Sequence, residues 1–524
     1  MTLEQSYRVI VGGTLIDGTG CPPVEDCVVL MKDDRIVAVG KRGELEIPEG
    51  ADLIDASGKT VIPGLNDAHN HFLWMGMRMI STIDLSKTKS IAEAVELVKK
   101  KLGEAKKGEW ILGRGWDDSK WEERRFIEKN DLDPFSADTP IILTRVCGHM
   151  ITLNSKALEV AGITKDTPDP PGGQVDKGQD GEPTGVLRDA RQLIQPFIPP
   201  ETQELALEGL DIACSHALSL GCTSIQDAGL DDFGVKAYQA AFEKGILKVR
   251  VNIMWREGLL KSMEGIDLRV GSGNGMVRLG PVKMLMDGSL GARTAALYEP
   301  YEDDPTTKGL TMMSPEELNE KVNKFHEQGF QVAVHAIGDY GIDLVINAIE
   351  GALKGSPRKD HRHRIEHCEI LSSSQIERIK QLGIVASMQP NFAGEWSGPD
   401  GLYEARLGKR RLRQNNPYRF LLDEGIPLAF GSDGMPFHPL YGIWSAVNHP
   451  VKNSRITLEE AMRAYTLDSA YASFEEDIKG SIEPGKLADI AILEKDLTEI
   501  PAEEIKDVRV HMTLVGGEVL YTLS

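Results

Sequence analysis

The chain has 524 residues, 41% hydrophobic and 27% charged, which is the make-up of a large globular protein with room for a sizeable core. Its 80 Asp and Glu against 59 Lys and Arg leave a formal net charge of −21, a surface that repels phosphate backbones and excludes a nucleic-acid partner. No apolar run is long enough to span a bilayer, and the first residues lack a basic stretch followed by an apolar one, so neither a membrane partner nor a signal peptide is expected.

In chain order, residues 7–11, 27–31 and 35–40 read as short strands, separated by turns such as Gly12-Gly13 and Asp33-Asp34. Residues 61–66 form a buried strand that runs into Asp67-Ala68-His69-Asn70-His71. About 150 residues then intervene before the next barrel-type strand, where a βα connection usually takes about 2–6. That span has its own pattern: helices over 90–105 and 153–161, strands over 110–113 and 141–146, and a polar hairpin tip over 172–180.

Beyond it, strands at 223–227, 249–253, 282–286, 331–335, 363–367, 384–389 and 427–432 alternate with amphipathic helices at 201–220, 235–244, 315–328, 342–354, 373–382 and 417–424. Several of these helices stop at a glycine, as at Gly221, Gly329 and Gly383, which suits a left-handed C-terminal cap. Strands return at 489–493, 511–515 and 518–522.

Eight βα units imply an α/β fold with a closed (β/α)₈ TIM barrel; an open doubly wound sheet is the alternative on pattern alone. The expected division is a small β-sandwich built from both termini (1–62 and 480–524), a barrel (63–80 and 201–479) and an inserted α+β lid (81–200). Six cysteines (Cys21, Cys27, Cys147, Cys214, Cys222 and Cys368) contain no C-x-x-C pair and are too sparse for a disulfide framework, which fits a cytoplasmic location.

The chemistry-bearing residues fall at strand ends. A His-x-His pair on a strand projects both imidazoles from one face, because side chains alternate with period two. His69 and His71 follow the first barrel strand, Lys283 lies on the fourth, His335 ends the fifth, His367 ends the sixth and Asp433 follows the eighth. Barrel active sites form at these C-terminal ends. A lone histidine is more often structural, but a whole set at successive strand ends points to a metal centre. Neither a Walker A loop nor a G-x-S-x-G nucleophile elbow is present.

Residues 61–71 (VIPGLNDAHNH), 282–289 (VKMLMDGS), Thr294-Ala295, 334–339 (VHAIGD), 364–367 (RIEH), 431–433 (GSD) and 480–489 (GSIEPGKLAD) together resemble the amidohydrolase superfamily, and more narrowly the amidohydrolase-3 family that includes N-substituted formamide deformylases. The resemblance covers nearly the whole chain. It implies that His69, His71 and Asp433 hold one divalent ion, that His335 and His367 hold a second, and that Lys283 bridges them as a carbamate. The other reading of Lys283 is an ammonium paired with an acid such as Asp287.

Two zinc ions per chain are expected, with manganese, iron or cobalt chemically possible. Asp433 is the expected general base and acid. Trp116, His149, Asp287, Arg293, Asp339 and His438 are candidates for substrate binding or ligand orientation, with packing, turn or salt-bridge roles as the plain alternatives. The function implied is hydrolysis of a non-peptide C–N bond in a small molecule, such as an N-acyl or N-formyl amine or a cyclic amide. The alternatives are carboxylic or phosphate ester hydrolysis at the same site, or a non-catalytic binding protein. A homodimer is the expected assembly.

Overall fold

Eight parallel strands follow one another in space in the order of the chain. In the computed structural model, which describes residues 7–105, 108–146, 148, 150–170, 173–259 and 271–524, they are β1 Leu65–Asn70, β2 Cys222–Leu230, β3 Arg250–Arg256, β4 Val277–Leu285, β5 Val332–Ala336, β6 Arg364–His367, β7 Val385–Met388 and β8 Leu428–Phe430. Every residue of β1, β2, β6, β7 and β8 is buried. That is the mark of parallel strands covered on both faces, and it explains why they read as near-continuous apolar runs rather than alternating ones.

The ring closes between its first and last members. The Asp433 N–H donates to the His69 carbonyl at 2.7 Å, and the Ser432 N–H donates to Asp67 Oδ1 at 3.0 Å. The sheet is thus a TIM barrel and not an open doubly wound sheet.

Helices Asp232–Glu243, Pro315–Glu327, Asp339–Gly355, Ser373–Leu382 and Tyr418–Asp423 cover the outside. Their ends are set locally. Ser314 caps Pro315–Glu327 by accepting the Glu317 N–H at 3.1 Å, and Ser372 and Gln375 form a reciprocal capping box. Trp255 of β3 locks sheet to helix layer, with its ring 5.9 Å from Phe325 and 5.2 Å from Phe330. Burying one such side chain contributes about 1.5–3 kcal/mol.

The expected strand 61–66 is in fact two. Thr60–Pro63 pairs with Ile490–Leu493 and Thr14–Leu15, and Leu65–Asn70 opens the barrel. The hinge is Gly64, where a Cβ would sit 2.1 Å from Thr223 Oγ1. Only a glycine lets the chain pass that close.

Strands from the two ends of the chain share a six-stranded sheet, ordered Glu518–Thr522, Val510–Val515, Ile490–Leu493, Thr60–Pro63, Thr14–Leu15, Val24–Glu25. A four-stranded sheet is ordered Arg35–Lys41, Cys27–Lys32, Tyr7–Val11, Asp52–Asp55. Ile10, Val29 and Ile36 of the smaller sheet share one core with Val61, Ile490, Ile492 and Leu514 of the larger.

The chain separates into two compact units, Met1–Leu73 with Leu210–Ser524, and Trp74–Gly209. The second unit is built on a six-stranded mixed sheet, ordered Gln174–Lys177, Pro183–Arg188, Met150–Leu153, Ile141–Arg145, Ile111–Trp116, Thr82–Asp84. Helix Ile91–Glu104 packs there with Trp116 and Trp121 in one core. The helix expected over 153–161 begins later, at Ser155, because Asn154 caps it by accepting the Ala157 N–H at 3.0 Å and Met150–Leu153 is a strand. Among the described residues no helix is long and apolar enough to cross a membrane, and Cys21, Cys27, Cys214, Cys222 and Cys368 are free thiols.

Candidate metal centre

The barrel gathers the expected ligands at the C-terminal ends of its strands. Ligand atoms of His69, His71 and Asp433 all lie within 4.8 Å of one another. His71 Nε2 is 3.1 Å and His69 Nε2 is 3.8 Å from Asp433 Oδ1. Lys283 Nζ is 3.1 Å from His69 Nε2. The His367 ring lies 4.8 Å from that of His69 and 4.3 Å from that of His335. Four imidazoles, one carboxylate and one amine from five strands therefore meet in one place.

His69, His71 and His335 are each held through one ring nitrogen, which aims the other toward the centre. The Nδ1–H of His69 donates to Glu366 Oε2, and the Nδ1–H of His71 donates to the Ala228 carbonyl at 3.0 Å, which turns both Nε2 atoms toward Asp433, that of His69 also meeting Lys283 Nζ. The Nε2–H of His335 donates to the Gly288 carbonyl at 3.0 Å, so its Nδ1 is the free atom. His367 Nδ1 is buried with no hydrogen-bond partner among the described residues. Buried polar atoms are rarely left this way. Outer hydrogen bonds that fix tautomer and ring direction are the usual support of metal-ligating histidines. The donor set fits a divalent ion, and His69, His71, His335, His367 and Asp433 are the residues that would hold it.

Electrostatics agree with the geometry. Burial, reinforced by the Lys283 charge and the neighbouring rings, pushes His69 and His367 well below the ordinary imidazole value and His335 down to about 4, so all three are neutral donors near pH 7. Burial lowers Lys283 to about 8. Burial also opposes the charge of His71 and Asp433, but their mutual contact outweighs it: His71 is raised and Asp433 lowered.

Backbone conformation contributes as well. His367, Cys368 and Asp433 sit in the left-handed region, with φ of 69°, 52° and 55°. Glu366 faces the barrel interior with Arg364, and strict alternation would turn His367 outward. The left-handed turn at the strand end accompanies its ring's position beside His335 instead. Such residues cost of order 1–3 kcal/mol each and cluster at functional sites.

The residues beneath this centre had no assigned role in the sequence reading. Arg364 and Glu366 are fully buried and paired at 2.7 Å. Arg364 also donates to the Ala68 carbonyl at 2.7 Å, to Ser387 Oγ at 2.9 Å and to Gln226 Oε1. The legible signal was two opposite charges two apart in an otherwise apolar strand, since charged residues are rarely buried unless paired. Asp67 is pushed up to about 6 by burial, and straps β1 to β8 by accepting from Ser432 and from Asn70 Nδ2 at 2.9 Å.

Gly431 makes room for that strap: a Cβ there would fall 2.4 Å from the His69 nitrogen. Gly431→Ala is expected to cost about 1–3 kcal/mol of stability and to lower activity as well, because β1 carries His69. Thermal melting paired with kcat/KM checks both effects.

The remaining candidates lie in varied places. Asp287 is buried, accepts the N–H groups of Ala296, Ile337 and Gly338 at 2.9–3.0 Å, and lies 3.6 Å from His335 Nε2. Its burial raises its pKa to about 7. Asp339 opens helix Asp339–Gly355 and accepts the Tyr298 N–H at 3.0 Å. Arg293 makes a forked pair with Asp303 at 3.1 and 2.9 Å. His438 caps helix Pro439–Val447 by accepting the Tyr441 N–H at 3.1 Å, and lines a cavity of about 260 Å³ with Val508, Tyr521 and Leu523. Trp116 is in the core of the Trp74–Gly209 unit, stacked on Trp121 at 5.5 Å, with its indole N–H on the Leu143 carbonyl at 3.1 Å. His149 lies outside the described residues.

Comparison with known proteins agrees with this arrangement. The amidohydrolase family's sequence profile matches residues 52–521. The chain is 33% identical over 520 residues to the putative amidohydrolase YtcJ of Bacillus subtilis, covering 95% of this chain and 96% of that one. It is 27% identical over 517 residues to the N-substituted formamide deformylase of Arthrobacter pascens, covering 94% of each. Among solved structures, an uncharacterized metal-dependent hydrolase from Pyrococcus furiosus superposes with a TM-score of 0.78 at 31% identity, over 94% of this chain and 99% of that one. The chain belongs to the amidohydrolase family and is a metal-dependent hydrolase.

Proposed function

We propose that this chain hydrolyses a non-peptide C–N bond, in an N-acyl or N-formyl amine or a cyclic amide, at a pair of zinc-class ions. The observation that carries the reading is the convergence of four imidazoles, Asp433 and Lys283 at the ends of β1, β4, β5, β6 and β8. The bond type is supported by the similarity to a formamide deformylase along nearly the whole chain.

In this reading His69, His71 and Asp433 would hold one ion, and His335 and His367 would hold the other. When bound, such ions lower the pKa of water and polarise a carbonyl. Lys283, 3.1 Å from His69 Nε2, would be a further ligand: burial lowers its pKa to about 8, and as a neutral amine its lone pair can add to CO₂ with loss of one proton to form an anionic carbamate. Asp433, held below the usual carboxylate range, is ionised and able to take a proton from the attacking water at Oδ1. The same oxygen then returns the proton to the leaving nitrogen. Glu366 keeps the His69 ring in its tautomer throughout.

Protein purified without added metal is expected to contain two ions per chain. Stripping them with a chelator is expected to abolish hydrolysis of N-benzylformamide, and zinc is expected to restore it. Faster turnover of matched esters than of amides across a panel would move the reading to ester hydrolysis. Metal-free protein in which no added ion restores hydrolysis would overturn it.

A further inference from the structure

Arg256 is the last residue of β3, and its direction follows from its neighbours. Trp255 points outward, onto Phe325 and Phe330 of the helix layer. By alternation the residues on either side of it face the barrel interior. Met254 does so: it forms a buried cluster with Ala228 of β2 and Ala333 of β5, reaching past β4. Arg256 rises from the same face two residues later, at the C-terminal rim, and the parallel register sets it opposite Lys283.

Unlike Lys283, Arg256 is exposed. Its guanidinium runs beside Gly229, where an added Cβ would lie 3.6 Å from Nε and 3.8 Å from Nη2. Among the described residues it has no ion-pair partner. Acids at this end of the barrel are engaged with other partners. Glu257 takes Lys321 at 2.9 Å. Asp227 accepts the Phe72 and Leu73 N–H groups at 2.9 and 3.0 Å and the Tyr238 hydroxyl at 2.5 Å. Asp287 is filled by three backbone N–H groups, and Asp433 faces His71. An exposed arginine alone is ordinary. This one lies at the rim of the metal centre by its register with Lys283, without an ion-pair partner among the described residues, in a chain with 80 acidic side chains against 59 basic ones.

We infer that Arg256 forms a carboxylate subsite, so that the preferred substrate is an amide carrying one carboxylate, gripped by paired N–H···O bonds from the guanidinium. Arginine's planar fork matches a carboxylate in this way. A single cation suits a monoanion and not a phosphate, in keeping with apolar Phe392 in helix Pro390–Trp396 after β7 and Phe437 on the loop after β8. The inference rests on the C–N hydrolase reading, and the test separates the two.

N-formylphenylalanine and N-formyl-2-phenylethylamine differ only by the carboxylate. The unaltered enzyme is expected to prefer the acid by at least about tenfold in kcat/KM, the scale of a charge-assisted hydrogen bond. Arg256→Ala is expected to raise KM for the acid about 10- to 100-fold, leave the neutral formamide unchanged, and weaken binding of 3-phenylpropanoate by calorimetry to the same degree. Arg256→Lys is expected to fall between. Equal losses on both formamides, or no loss on the acid, would overturn the subsite. Turnover of the neutral formamide with Arg256 indifferent keeps the C–N reading and removes the subsite. No turnover of either formamide, with 3-phenylpropanoate binding still dependent on Arg256, keeps the subsite and removes the C–N reading. If neither formamide turns over and 3-phenylpropanoate does not bind, both fall.

Discussion

Asp433→Asn is expected to lower kcat/KM by about 10²–10⁴-fold, the range for loss of a positioned general acid–base group, with most of the loss in kcat. The change is nearly isosteric. The backbone bond from Asp433 to the His69 carbonyl, which closes the barrel, does not depend on the side chain, so the melting temperature is expected to move little. An asparagine keeps an oxygen but has no carboxylate lone pair to accept a proton at neutral pH. His71→Ala is the companion experiment. It removes a ring nitrogen 3.1 Å from Asp433 Oδ1 and is expected to lower metal content as well as activity. Full activity in Asp433→Asn would move the proton-transfer role to another group. Full metal content and activity in His71→Ala would remove His71 from the ligand set.

Arg364→Met is expected to destabilise the fold by about 3–5 kcal/mol, because it strands the buried Glu366 carboxylate without its counter-charge. Arg364 and Glu366 have side chains with no exposure at all, and Arg364 also serves Ala68, Ser387 and Gln226. The damage is expected to reach the metal centre, since Glu366 also fixes the His69 ring and loss of such supports typically costs about 10–100-fold in metal affinity or activity. Replacing both residues, as Arg364→Met with Glu366→Gln, is expected to cost less stability than the sum of the two single changes, because no lone buried charge remains. Denaturant unfolding of the four proteins measures the coupling. An additive result would mean that the pair does not act as a unit.

The βα rhythm of the barrel is legible in the sequence because each strand is a short apolar run flanked by glycine-ended amphipathic helices. Helix Ser373–Leu382 has the expected bounds, set locally by the Ser372 box and by Gly383 in the left-handed region. The strand expected at 61–66 could not be divided from sequence. Its break at Gly64 is imposed by Thr223, more than 150 residues away in the chain. Likewise, helix propensity extends across Leu153, but pairing of Met150–Leu153 with Ile141–Arg145 and Pro183–Arg188 overrides it.

The metal centre divides along the same line. Which residues are candidate ligands, and at which strand ends, is a local property: period-two alternation in β1 and the position of each histidine at the end of an apolar run are visible without a structure. Which nitrogen each ring presents is not. That depends on Glu366, Ala228 and Gly288, partners far away in the chain, and no periodicity reports them. The buried Arg364–Glu366 pair and the inward aim of Arg256 depend in the same way on register between neighbouring strands and on Trp255 facing the helices. Composition and strand pattern decide the barrel and its ligand types, because they act within a few residues. Orientation, charge state and the cation at the rim, without an ion-pair partner among the described residues, arise only when distant strands are brought side by side.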